Sequence, residues 1–298
     1  MSQSKKVSFL RGKRMRVTVL DVAGRPVIGD SSVVSTKGVV TVGYTSNVED
    51  GEAVSVPNMN GEACVSEPAT PTLTGFGVEI EFCEVDFDLL GIVTGQRVYV
   101  DDDGVVIGIT ESTDVDLSAV HFALEMWLGS TNPGEYGYVL TPFLSGGVIG
   151  DISVENGAIS FTVTGLQTKN GTAWGSGPYD VELVNGVAAP LREAMRANDH
   201  RRIITTKVAP PAIYSGATPL LDPTDPAVTD VTATVTGLSA DLAPVPAGTD
   251  PVWYDFGDGE WDYAATGSYT HEYAAAGTYT VTAHRGKSTA TTEVTVAA

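Results

Sequence analysis

Four carboxylates lie close together in one short stretch near the C-terminal end of the sequence. The stretch reads DFGDGEWD, and two glycines separate its acidic residues. Oxygen-rich loops suit calcium, and the candidate ligands here are Asp255, Asp258 and Asp262. Their spacing differs from that of EF-hand loops, and aspartates in Gly-rich turns also accept hydrogen bonds from backbone N–H groups. We favour this structural role, and we expect neither a metal nor a cofactor.

The histidines are the next candidates for chemistry. A hydrolytic triad needs a nucleophile, a base and an acid that orients the base. None of the four histidines lies in a motif that supplies this set, and G-x-S-x-G does not occur. His121 opens an apolar strand and suits a core or edge position, whereas His271 suits a structural hydrogen bond. Carboxylate pairs that could cleave glycosides occur in any acidic β-protein. We therefore expect no enzymatic activity.

One aromatic residue raises the question of sugar binding. Trp174 stands among glycines in the run NGTAWGSGPYD. An exposed tryptophan in such a loop could stack on a sugar ring. A tight loop anchored by one buried aromatic residue has the same composition, and we favour this second interpretation.

The overall charge restricts the partners of the protein. The net charge is −20, so the surface as a whole repels nucleic acid and anionic membranes. The first residues are the exception, because they are basic and contain no acid. We interpret them as a contact with an acidic neighbouring subunit, rather than a nucleic-acid site or a flexible tail. The candidate interface residues are Lys5, Lys6, Arg11, Lys13, Arg14 and Arg16.

The basic N-terminal residues also raise the question of a signal peptide for export. A signal peptide requires an apolar run of about 7–15 residues after its basic start. Here the apolar residues of 7–10 are followed by further arginines, so we expect no signal peptide and no membrane association.

The two cysteines, Cys64 and Cys83, are accordingly expected to be reduced and buried in strands, although a disulfide across a sheet remains an alternative.

The residue types and their alternation predict a mostly β protein. Valine, threonine and glycine are abundant, and residues 77–85 place Val78, Ile80 and Phe82 on one strand face. One short helix should begin at Asp86 or Asp88, either of which could cap it, and stop at Gly95. DDDG at 101–104 and Asn156-Gly157 should each turn a hairpin. A second short helix is expected within 187–199.

Composition also divides the chain. We predict a basic N-terminal arm over 1–16, a β domain over 17–209, a Pro-rich linker over 210–227 and a small β-sandwich over 228–298. The linker is assigned from its Pro, Gly, Ala and Asp content.

The last residues resemble a PKD-type immunoglobulin-like domain through the segments WYDFGDGEW and THEYAAAGTYTV. The resemblance implies that the acids frame a β-sandwich, with a tyrosine-bearing corner after THEY. The residues that carry it are Trp253, Asp255, Phe256, Gly257, Asp258, Gly259, His271, Tyr273, Gly277, Tyr279 and Val281.

The larger part of the chain, 1–220, resembles the major tail (tube) proteins of long-tailed phages of actinobacterial hosts. The segments that carry this resemblance are RVTVLDVAGRPVIG, VEIEFCEVDFDLLGIVTG, FALEMWLGS, the run from YGYVL to SGPYDV, and the late APL…DH. The resemblance implies a β-sandwich or barrel flanked by a helix. Six copies would form a ring, and rings would stack into a tube for genome ejection.

The same resemblance implies partners and a location. The subunit would contact copies of itself and the tape-measure, tail-tip and tail-terminator proteins, first in the host cytoplasm and then in the virion tail. Viral DNA would pass without specific binding, and Glu79 and Glu81 are our candidates for the channel wall. The C-terminal domain would lie on the tail exterior and touch host-surface glycans.

Two alternatives remain from the sequence. A secreted glycan-binding or hydrolytic protein is one, because PKD-type domains often accompany extracellular enzymes. A capsid decoration or minor tail protein is the other.

Overall fold

Strands make up most of the regular structure. The computed structural model describes residues 6–150, 160–248 and 250–298. The strands are β1 (Phe9–Val19), β2 (Gly29–Thr36), β3 (Val39–Glu49), β4 (Val54–Pro57), β5 (Ala63–Glu67), β6 (Thr72–Phe82), β7 (Arg97–Val100), β8 (Val106–Thr110), β9 (His121–Ser130), β10 (Tyr136–Ser145), β11 (Val148–Ile149), β12 (Phe161–Thr168), β13 (Glu182–Val184), β14 (Val187–Ala189), β15 (Arg202–Thr206), β16 (Thr218–Leu220), β17 (Asp230–Thr236), β18 (Ser239–Val245), β19 (Val252–Asp255), β20 (Trp261–Ala264), β21 (Tyr269–Glu272), β22 (Gly277–Arg285) and β23 (Ser288–Val296).

The single α-helix of the described residues, α1, spans Phe87–Thr94, as predicted. The Asp86 carboxylate accepts the N–H groups of Asp88 and Leu89, and Gly95 ends the helix at φ 68°. Two short 3-10 turns span Leu117–Ala119 and Thr172–Trp174. No helix within the described residues has the length and apolar character needed to cross a membrane.

The chain divides into two compact units. The first comprises the described part of Met1–Pro26 with Val34–Gly216, and the second comprises Val27–Val33 with Ala217–Ala298. Segment 27–33 joins the second unit because β16 pairs with β2, with Thr218 opposite Val33 and Leu220 opposite Gly29.

An antiparallel sheet forms the first unit. Its strands follow the order β1-β9-β10-β12-β6-β3, with β11 beside β12 and β15 beside β10. The predicted alternation of β6 is confirmed, because Val78, Ile80 and Phe82 are all buried. The core beneath β9 and β10 includes Trp127 and Tyr138, against which the loop bearing Trp174 packs.

Two facing sheets form most of the second unit. One has the order β17-β18-β21 and the other β20-β19-β22-β23. The buried residues of both sheets belong to one apolar core, which contains Leu242, Tyr254, Phe256 and Val281. This arrangement is the predicted small β-sandwich.

Several predicted boundaries differ from the structure. The predicted arm over 1–16 is not a separate element, because its residues from Phe9 onward belong to β1, which pairs with β9. The predicted linker over 210–227 contains the buried strand β16, and the C-terminal segment of the second unit begins at 217 rather than 228.

The predicted helix within 187–199 is also wrong. Asn185 and Gly186 have φ values of 53° and 83° and form a tight turn, so β14 pairs with β13 as a hairpin instead. Of the two predicted hairpins, the one at DDDG is confirmed by the pairing of β7 with β8. The Asn156-Gly157 turn lies outside the described residues.

The cysteine prediction was half correct. Cys64 and Cys83 are free thiols, as expected, but both are exposed rather than buried. Cys64 lies on β5, where the side chains described are exposed, and Cys83 follows the last residue of β6.

Candidate functional site

The acidic loop of the second unit is the turn between β19 and β20. The Asp255 carboxylate accepts the Gly257 N–H at 3.0 Å, and the Asp258 carboxylate accepts the Glu260 N–H at 3.0 Å. Gly257 has φ 79°, and a Cβ there would lie 2.5 Å from the Thr280 carbonyl oxygen. These two carboxylates therefore hold a turn that requires glycine, which is the structural role that we favoured.

His271 links this turn to β21. Its Nε2 lies 2.8 Å from the Asp258 carboxylate, and its ring stacks on Phe256 with centroids 3.8 Å apart. The side chain is buried, and Tyr273 meets the ring edge-on at 4.5 Å. The predicted structural hydrogen bond of His271 is confirmed.

The residues able to hold a metal differ from the predicted set. Asp258, Glu260 and His271 have ligand atoms within 4.8 Å of one another, and this group includes neither Asp255 nor Asp262. Calcium prefers oxygen ligands throughout, whereas an imidazole with carboxylates suits transition metals. The three aspartates that we named as calcium candidates are thus not assembled as one ligand group.

The third of those aspartates has another role. The Asp262 carboxylate accepts the Tyr263 N–H at 2.6 Å and the hydroxyl of Tyr269. Burial, together with this hydrogen bond to Asp262, raises the pKa of Tyr269 to about 12. The Tyr269 hydroxyl therefore stays protonated near neutral pH and remains a donor.

Two tyrosines close the corner that the sequence predicted. The Tyr279 hydroxyl donates to the Ala275 carbonyl at 3.0 Å, and its ring stacks on Tyr273 with centroids 4.3 Å apart. Gly277 fits beneath the Tyr279 ring, where a Cβ would approach within 3.2 Å. A tyrosine bonded to backbone a few residues upstream is typical of immunoglobulin-like sandwiches.

Trp253 packs on the outer side of β19. Its ring stacks on His284 at 4.6 Å and meets Trp261 edge-on at 5.9 Å. Burial lowers the pKa of His284, although Asp255 opposes this shift. His284 is therefore held neutral against the tryptophan.

In the first unit, the basic residues separate into two groups. Arg16 is buried, and its guanidinium makes a two-pronged ion pair with Glu125 at 2.6 and 2.7 Å. It also lies 3.3 Å from the centroid of the Tyr179 ring. Arg16 is thus a core residue, and our assignment of it to a subunit interface was wrong.

The other described basic residues lie at the surface. Lys6, Arg11 and Lys13 are exposed and Arg14 is half-buried. Arg11, Lys13 and Arg14 line a groove of about 530 Å³ between β1, β3 and β9. They remain available for contact with a partner, while Lys5 lies outside the described residues.

The remaining candidate residues of the first unit are two glutamates on β6, one tryptophan and one histidine. Glu79 is exposed and Glu81 half-buried on β6, on the side opposite its apolar core residues. Trp174 is only 4% exposed, so it anchors its loop and is not a sugar platform. His121 is buried as predicted, with its ring 5.2 Å from that of Phe143.

A buried polar network surrounds Glu125, and it was not predicted from the sequence. The Tyr138 hydroxyl donates to this carboxylate at 2.6 Å. Burial and the nearby Glu125 charge raise the pKa of Tyr138, and burial also raises the pKa of Tyr179, although Arg16 opposes the second shift. The available signal was one acid within the apolar run HFALEMWL, because a lone carboxylate in a buried strand needs a partner.

The comparisons with known proteins agree with the geometry of the second unit. The family model described as PKD domain matches residues 226–296. No curated protein matches the chain. A PKD domain suggests a module that is extracellular or displayed on a surface. From its fold, its turn residues and this match, the chain carries a PKD domain of immunoglobulin-like form at its C-terminal end.

Proposed function

We propose that the protein is a structural subunit that assembles with copies of itself into the stacked rings of a phage tail tube. The first unit would build the tube wall, and the PKD domain would lie on the exterior. The resemblance of 1–220 to major tail proteins motivates this proposal. The observation that carries it is the apolar surface that one copy leaves uncovered. The exposed residues that carry the proposal lie on β3, on β6 and on the segment between them, and they are Val40, Val48, Val54, Val56, Met59 and Leu73.

The sheet edge supports the same proposal. β3 is the last strand of the sheet of the first unit and pairs with β6 on one side only, within the described residues. Exposed edges invite pairing with another chain, and a closed ring of subunits would remove them. Ring closure by about six copies would therefore cover both the edge and its valines.

The negative charge of the protein supports a role as a channel through which DNA passes. With a net charge of −20 per copy, a channel lined by acids would repel the DNA backbone. We place Glu79 and Glu81 on this wall, so that DNA passes without being bound. The protein would act without catalysis or a cofactor, in the virion tail after assembly in the host cytoplasm. Its further partners would be the tape-measure, tail-tip and tail-terminator proteins.

The principal alternative is a secreted glycan-binding or hydrolytic protein. The PKD domain favours it, because it suggests an extracellular or displayed module. The burial of Trp174 weakens it, because the one aromatic residue that we considered as a sugar platform is covered by its own loop. Weak contact of the PKD domain with host-surface glycans is compatible with both proposals.

A capsid decoration or minor tail protein is a further alternative, and it would not form long tubes alone.

Sedimentation velocity over a wide concentration range separates these functions. A tube subunit should shift from monomers to rings and larger particles as concentration rises. A secreted glycan-binding protein should stay small and bind or cleave a polysaccharide from a panel. Retention on a polysaccharide without self-association would overturn the proposal.

A further inference from the structure

A two-stranded arm projects from the far ends of β3 and β6. We define the hairpin arm as residues 50–71, which contain β4 and β5. Every residue of the arm whose exposure is described is exposed, except the half-buried Asn58. An isolated two-stranded hairpin is marginally stable at best in water. The arm is therefore expected to be covered by something outside its own unit.

The arm is both apolar and acidic. Val54 and Val56 are 45% and 51% exposed, and the whole side chain of Met59 is open to solvent. It contains no lysine or arginine, so its charge is entirely negative. Its acids are Asp50, Glu52, Glu62 and Glu67.

A groove elsewhere on the first unit has the opposite character. We call it the basic groove, and it is the 530 Å³ groove between β1, β3 and β9. Its apolar lining includes Val40, Val42, Met126 and Leu128, and no acid is among its described lining residues. The Arg14 Nε is buried there without a hydrogen-bond partner among the described residues. The basic lining residues are Arg11, Lys13, Arg14 and Lys37.

We propose that the hairpin arm of one copy docks in the basic groove of a second copy. Apolar side chains would enter the groove, and the arm acids would meet its basic rim. The arm does not fill the groove of its own copy, because its described residues other than Asn58 are exposed. β3 also runs on from Val42 to Glu49, a rise of roughly 23 Å, before the arm begins. The inference rests on the proposed self-assembly and names the contact that drives it.

The arm and the basic groove are different surfaces, so each copy can offer its arm to one neighbour and accept the arm of another. A head-to-tail series of such contacts generates a ring when it closes and an open filament when it does not. A second hairpin, β7–β8, also exposes Val105 and Ile107 beside acids, but its Val98 packs against α1. The β7–β8 hairpin is thus a useful control, because it also exposes apolar residues beside acids and already has a partner within the chain.

Charge exchange tests the pairing directly. Arm variants Glu52→Lys, Glu62→Lys and Glu67→Lys, combined, should weaken association about tenfold at low salt, as three surface ion pairs would. The groove variants Arg11→Glu, Lys13→Glu and Lys37→Glu should do the same. Combining both sets in one chain should restore association to within about threefold, because the attraction is reversed but intact.

The control reverses charge on the other hairpin. Asp102→Lys, Asp103→Lys and Glu111→Lys should leave association within about twofold of the parent, as expected of charges outside the contact. Association that is weakened equally by the control, or that the combined charge exchange fails to rescue, would overturn the docking proposal. Association strength is read from sedimentation, and circular dichroism confirms folding of each variant.

The native thiol on the arm provides a second test. With Cys83→Ser, a short bismaleimide should join Cys64 of one copy to Val40→Cys at the groove of another. Ile107→Cys on the β7–β8 hairpin should give no such product. If the wild-type protein assembles but the crosslink forms only with Ile107→Cys and not with Val40→Cys, the arm contact is refuted while the proposed tube function survives. If wild-type protein never self-associates, the tube function fails as well.

Discussion

At the scale of single residues, the first unit buries an ion pair between Arg16 and Glu125, in which each charge needs the other as its partner. Both side chains are buried, and they face each other across the β1–β9 register. Burial alone would lower the pKa of Arg16, but the Glu125 charge and hydrogen bonds outweigh it and raise the pKa. The arginine therefore stays charged and depends on its partner.

Removing that partner should be costly. Glu125→Ala is expected to destabilise the chain by about 3–5 kcal/mol, because it leaves a buried charge uncompensated. The double variant Arg16→Met and Glu125→Leu should cost much less, because no buried charge then remains. Denaturant unfolding measures both, and a single-variant cost below about 1 kcal/mol would contradict the role assigned to this pair.

His284 predicts a pH dependence for the second unit. Burial lowers its pKa in the folded state below the unfolded value of about 6.5. The unfolded state then binds more protons between these two values, so stability is complete above about pH 6.5 and decreases as pH falls. His284→Gln should flatten this decrease. Thermal unfolding followed by tryptophan fluorescence, to which Trp253 and Trp261 contribute, measures the decrease in stability. Identical pH profiles for the variant and the parent would contradict this prediction.

The residue types of the PKD segment were the most informative part of the sequence. Asp255, Asp258 and His271 form the predicted turn and hydrogen bond, because these interactions are local or join adjacent strands. The role of Arg16 could not be predicted in this way. Its partner lies 109 residues away, and only the sheet register brings the two together.

At the scale of elements, the turn between β19 and β20 offers a matched pair of glycines. Gly257 and Gly259 both have positive φ, at 79° and 99°, but only Gly257 is crowded by Thr280. Gly259→Ala should cost about 1–2 kcal/mol from backbone strain alone. Gly257→Ala should cost clearly more, since the Thr280 backbone must also move. Calorimetry of both variants tests this order, and equal costs would show that the close approach is unimportant.

Elements with local signals were predicted well. Helix α1 follows from an Asp cap and a terminal Gly, both within ten residues. The hairpin of β13 and β14 was missed, although Asn185-Gly186 is a strong turn signal, because the following PLREAMRAND suggested a helix. The pairing of β16 with β2 joins distant segments, and composition alone assigned one of them to a linker.

At the scale of the whole molecule, the two units should have separate tasks. Deleting residues 228–298 is expected to leave tube assembly intact, because the truncated chain keeps the entire first unit. It also keeps β16 and its partner segment on β2. Electron microscopy of the truncated protein checks this, and a failure to form rings, with the first unit still folded, would assign the PKD domain to the wall.

The central claim is self-assembly into a tube, and electron microscopy of the purified full-length protein at high concentration tests it most directly. We predict stacked rings or tubes with an open channel and additional density on the outer surface from the PKD domain. Dispersed monomers at every concentration and ionic strength would contradict the claim.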